Sequence, residues 1–160
     1  MINFLKLNKV LFLLLLVASF SSFGQEKSLA YYEENFPKKH AIKLLDETNI
    51  VIGLDEEKGL QISRNYRDEK MLISSQANAF ADRQVVFTSF FDIRDISAAS
   101  YVPRGTTSFS KEKVRGFRTE KIMSDNVFHD DLQAIKFQYP DLVKGSKIDL
   151  QYTEDVLNPF

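Results

Sequence analysis

The residues of this chain that could do chemistry are few. His40 and His129 are its two histidines, and it has no cysteine. A thiolate nucleophile, a disulfide and a cysteine-ligated zinc site are therefore excluded at the outset. His129-Asp130-Asp131 sets an imidazole beside two carboxylates, a group that could hold a metal or pass a proton. Successive side chains of a strand point to opposite faces, however, so only His129 and Asp131 would share one. Two ligands are one short of a catalytic zinc site, and a hydrogen-bonded strand histidine accounts for the same residues. A serine triad needs a nucleophile, a base and an orienting acid in contact, yet no serine stands in a G-x-S-x-G setting. Neither a Gly-rich phosphate loop, an H-E-x-x-H pair nor a dinucleotide fingerprint occurs. His40 ends the basic run Lys38-Lys39-His40 and reads as a solvated surface residue. No catalytic residue, metal ligand or cofactor is expected.

What polar chemistry remains is recognition. Lys111–Lys121 is strongly basic through Lys111, Lys113, Arg115, Arg118 and Lys121, diluted by Glu112 and Glu120. Gathered on one face it could contact an anionic glycan, a peptide or a membrane surface; spread out, it is a solvated strand or helix. Tyr101, Arg104, Lys113 and Arg115 are the candidate interaction residues. Nucleic acid is a poor partner, because 21 Lys and Arg face 22 Asp and Glu and the net charge is −1. Asp55-Glu56-Glu57-Lys58-Gly59 is rich in acids but lacks the spaced oxygen ligands of a calcium loop, so it reads as a polar hairpin tip.

The elements that would position these residues follow from periodicity. Ser28 precedes Leu29, Tyr32 and Phe36, a spacing that predicts a short amphipathic helix over Leu29–Asn35, stopped by Pro37. From Thr48 the period falls to two. Ile50, Ile52 and Leu54 alternate with Val51 and Gly53, and after the acidic turn Leu60 and Ile62 resume, which predicts a β-hairpin. Met71–Ile73 and Val85–Phe91 are further strand candidates; the second, apolar on both faces, is expected to lie buried between two layers. Asp92–Ser100 reads as a connection or irregular strand, and Tyr101–Thr107 as a turn at a sandwich edge. Ile135, Phe137 and Tyr139, then Ile148, Leu150 and Tyr152, each alternate with polar residues, and the Pro140–Gly145 loop between them suggests antiparallel neighbours. The whole predicts an all-β fold, mainly an antiparallel β-sandwich, with a short N-terminal helix.

Ahead of that domain, Lys6 and Lys9 flank the unbroken apolar run Val10–Ala18, and Ser22 and Gly24 stand where a signal peptidase wants small residues. A membrane-spanning helix needs about 20 apolar residues, and here Ser19, Ser21 and Ser22 interrupt. Residues 1–24 therefore read as a signal peptide, 25–47 as the helix and a linker, and 48–160 as the β-sandwich. The protein is expected to be exported, to the periplasm or cell surface, with no membrane span left after cleavage.

The succession Val127-Phe128-His129-Asp130, Phe137-Gln138-Tyr139-Pro140-Asp141-Leu142, Lys144-Gly145-Ser146-Lys147-Ile148 and Tyr152 resembles a domain of unknown function in exported Bacteroidetes-type proteins that usually precedes a transglutaminase-like domain. Tyr32, Phe36-Pro37, Ala41, Phe87–Phe90 and Ala98–Pro103 are similar in order and spacing. The resemblance implies an antiparallel β-sandwich and a non-catalytic accessory role beside a transglutaminase-like partner, and it names no binding residues. It also implies a domain truncated near Asn158-Pro159-Phe160, with Ile148–Tyr152 as an unpaired edge. An independent glycan- or peptide-binding domain is the alternative.

Overall fold

The computed structural model describes residues 27–57, 59–105, 108–122 and 131–157. Residues 1–24, read as a signal peptide, and His129 lie outside the described residues. Within them no helix is long and apolar enough to cross a membrane.

The described residues begin with helix α1 (Leu29–Asn35), where Ser28 Oγ accepts the Tyr31 N–H at 3.2 Å as the predicted N-cap. Among the described residues eight strands follow: β1 (Ala41–Asp55), β2 (Gly59–Leu72), β3 (Asp82–Phe87), β4 (Phe91–Arg104), β5 (Ser108–Lys113), β6 (Arg118–Lys121), β7 (Gln133–Gln138) and β8 (Lys147–Val156). A 3₁₀ turn, Ala77–Phe80, precedes β3. The strands form two antiparallel sheets, ordered β1-β2-β8-β4-β5 and β3-β7-β6. Leu72, Ala98 and Ile148 of the larger sheet meet Val85 and Phe137 of the smaller in one core, which Tyr139 and Leu142 extend. The fold is all-β, as periodicity predicts.

Several local expectations are corrected. The first strand begins at Ala41, inside what reads as linker, because a bulge between Lys43 and Leu45 breaks the alternation there. Val85–Phe91 is not one buried strand: β3 ends at Phe87, a turn follows, and Phe90 is 65% exposed. β7 and β8 are not hairpin neighbours. β7 lies between β3 and β6, while β8 lies between β2 and β4, so the Pro140–Gly145 loop carries the chain from one sheet to the other. That placement makes β8 a central strand and overturns the unpaired edge expected at Ile148–Tyr152. Asp92–Ser100, read as a connection or an irregular strand, is part of β4, with a register shift between Arg94 and Ser97 and a left-handed Asp95 at φ 53°, and Tyr101–Arg104, read as turn, continues the same strand.

The sheet-crossing loop is tightly held. Gly145 N–H donates to the Leu72 carbonyl at 2.7 Å and Leu72 N–H to the Ser146 carbonyl at 2.8 Å. Gly145 adopts φ +85°, and a Cβ there would stand 3.1 Å from Leu29 Cδ2, so α1 rests on this loop. Lys144 Nζ reaches Glu33 Oε1 at 2.6 Å and fastens the same contact.

Candidate interaction surface

Alternation along β2, β8 and β4 assigns each residue to a face. Leu72, Ile148 and Ala98 point into the core, so their neighbours Met71, Lys147, Asp149, Ala99 and Tyr101 lie on the outer face of the larger sheet. Strand register then decides what Tyr101 meets. It sits opposite Lys147 on one side and Lys111 on the other, while Ala99 faces Asp149 and Lys113. A row of three strands thus brings Lys147, Tyr101 and Lys111 side by side.

The ammonium groups cover the rings. Lys111 Nζ lies 5.2 Å from the Tyr101 ring centroid and Lys147 Nζ 4.7 Å from that of Phe109. The Tyr101 hydroxyl beside Lys111 holds that ammonium above the ordinary lysine value. Below them, small Ala99 floors a depression of about 340 Å³ bounded by Lys111, Lys113, Asp149 and Gln151. Asp149 is nearly buried, and its oxygens accept from Arg67 Nε at 3.4 Å and Gln151 Nε2 at 3.0 Å. With the acid so engaged, the rim presents lysine to solvent. Because the ring faces already carry cations, the surface suits an anionic group more than a neutral sugar seeking an aromatic platform.

The sequence-selected residues divide. Tyr101 and Lys113 fall on this outer face with Lys111. Arg104 does not: it is an odd number of positions from Tyr101 and turns to the opposite side, lining a depression with Tyr139, Pro140 and Asp141. Arg115 is exposed in the link between β5 and β6. The basic run itself is split between two sheets, since Lys111 and Lys113 belong to β5 while Arg118 and Lys121 belong to β6. Phe109 and Lys147 were missed. Phe109 alternates within Ser108–Lys113, a signal that could have found β5; Lys147 reaches it only through strand order.

Asp131, half of the pair considered for metal or catalysis, accepts from Ser89 Oγ at 3.0 Å. Among the described residues no cluster of three or more His, Asp or Glu could hold a metal ion. A second, larger depression of about 950 Å³ lies over the smaller sheet, where Asp82, Arg83, Arg118, Glu120 and Lys136 alternate in sign. Lys136 Nζ donates to Glu120 Oε2 at 2.7 Å there, so these two charges satisfy each other.

No family model matches the sequence, and no curated relative does. A crystal structure of a putative protease from Parabacteroides distasonis is similar over 73% of this chain, with a TM-score of 0.54 and 15% identity. The likeness is one of fold. This chain spans 23% of that protein's length.

Proposed function

We propose that this chain is an exported, non-catalytic β-sandwich that serves as an accessory module of a larger transglutaminase-like or peptidase-type protein, mediating contact with a protein partner or substrate. The observation that carries the reading is the fold likeness: a comparable sandwich makes up 23% of a longer chain described as a putative protease. The absence of cysteine from the sequence and the lack of any catalytic motif in it agree with a supporting role. Joining the sandwich to a transglutaminase-like domain should raise that domain's thermal midpoint or tighten its hold on a peptide substrate, compared with the domain alone. No effect on either quantity sinks the proposal. Export is tested in the same preparation, where N-terminal sequencing of the secreted or periplasmic protein should begin at Gln25.

A second reading, an independent binder of anionic glycan or acidic peptide, is favoured by the lysine rim at Lys111 and Lys113 around Ala99. On this reading the outer face of β4 and β5 is the binding surface, and Arg104 takes no part.

A further inference from the structure

The β1–β2 hairpin outruns the sandwich. Ser63 opposite Asp155 is the last pair of β2 with β8, whereas β1 and β2 stay paired to Asp55 and Gly59. Towards this end of β1, Ile50, Val51, Ile52 and Leu54 are 61%, 56%, 66% and 84% exposed, with Ile52 and Leu54 on the overhang itself. None of them joins the core. Ile52 pairs with Ile62 and Leu54 with Leu60, so Ile50, Ile52 and Leu54 form an aliphatic stripe backed by two more aliphatics on the same face. Water-facing aliphatics at this density mark a surface that another protein covers.

The edge itself is open. β1 is terminal in its sheet, and among the described residues no strand pairs with its outer side. Edge strands ordinarily carry a lysine, a proline or an inward charge that discourages pairing. From Thr48 to Leu54 this one carries none. Gly53 leaves room as well, with nothing within 4 Å of where a Cβ would stand.

We infer that β1 pairs antiparallel with β1 of a second copy of this chain, with Ile52 on the two-fold axis. That register sets Ile50 opposite the partner copy's Leu54 and Ile52 opposite its own equivalent, and sets Leu54 opposite Ile50. Asn49 then faces Asp55 at each end, and no like charges meet within the paired span. Moving the axis to Val51 would set Glu47 against Asp55 at both ends, which cross-strand repulsion disfavours. The Ile52 register stacks the aliphatic stripe of one copy on that of the other, and the contact joins two five-stranded sheets into one continuous sheet. A symmetric dimer of this kind closes on itself.

Sedimentation of the purified protein across the micromolar range should show a reversible monomer–dimer equilibrium. Ile52→Lys, which opposes two ammonium groups on the axis, should raise the dimer dissociation constant at least about tenfold. Val86→Lys, at an exposed aliphatic on edge strand β3 of the other sheet, should leave it unchanged. The cysteine-free background permits a second readout that does not rely on a disruptive charge. Ile52→Cys treated with a short bismaleimide should yield a covalent dimer, and Val86→Cys should not. A monomer at every concentration, a dimer indifferent to Ile52→Lys, a ladder of larger species, or no cross-link at Ile52→Cys overturns the inference.

Discussion

The Tyr139 hydroxyl donates to the backbone carbonyl of Asp149 at 3.2 Å, a buried bond that ties the end of β7 to β8 across the gap between the sheets. The same side chain stacks edge-on against Phe137, with ring centroids 5.4 Å apart. Tyr139 therefore fixes the distance between the layers as well as filling part of the core.

Replacing it tests both roles. Tyr139→Phe keeps the ring and removes the hydrogen bond, and should cost about 1 kcal/mol of unfolding free energy in a urea titration. Burial pushes the Tyr139 hydroxyl well above the ordinary tyrosine value of 10.0. A group whose value is raised in the folded state imposes no pH dependence while both states hold its proton. Above about pH 10 the unfolded chain ionises first, so stability falls as pH rises towards the buried group's own value. Burial likewise raises Tyr66 and Tyr152. Stability should therefore decline as pH rises above about 10, and less steeply in Tyr139→Phe. Equal slopes for the two proteins would show that Tyr139 is not protected from ionisation.

Gly145 and Gly53 should respond oppositely to alanine. Gly145 has φ +85° and the Leu29 methyl close by, so Gly145→Ala should lose about 1–2 kcal/mol and loosen α1. Gly53 sits in open space within a strand, and Gly53→Ala should gain a few tenths up to about 1 kcal/mol by restricting the unfolded chain. Thermal unfolding of the pair, with protease cleavage near α1 as the local readout, separates the two effects.

On the outer face, Lys111→Glu with Lys113→Glu should abolish binding to an array of acidic peptides and anionic glycans. Arg104→Glu should leave it unchanged, because register places Arg104 on the other side of β4. A signal lost only in Arg104→Glu would move the binding surface to the depression beside Tyr139 and Pro140. An array without any signal for the unmodified protein removes the binding-domain reading.

Much of the local architecture is legible from residue type alone. Ser28, the apolar spacing after it and Pro37 set the bounds of α1, since capping and helix breaking act within one turn of chain. The two-residue alternation at Ile50–Leu54, Ile135–Tyr139 and Ile148–Tyr152 declares strands, since extended backbone sorts consecutive side chains to opposite sides. Which strands meet is another matter. Nothing between Tyr139 and Lys147 distinguishes a hairpin from a passage between sheets, because a Pro- and Gly-bearing loop serves either. Only the packing of Phe137 against the larger sheet, with β2 and β4 closing on both flanks of β8, settles the choice.

The amino-acid sequence by itself determined the all-β character, the helix bounds and the shortage of reactive groups, because propensity, periodicity and composition are local quantities. Tertiary structure alone decided that Tyr101 and Lys113 share a face from which Arg104 is turned away, that Lys147 joins them, and that the aliphatics of Ile50–Leu54 stay uncovered. Each of those depends on strand order and on where one layer ends above the other. Contacts between residues far apart in the chain set that order, and no short window of sequence contains it.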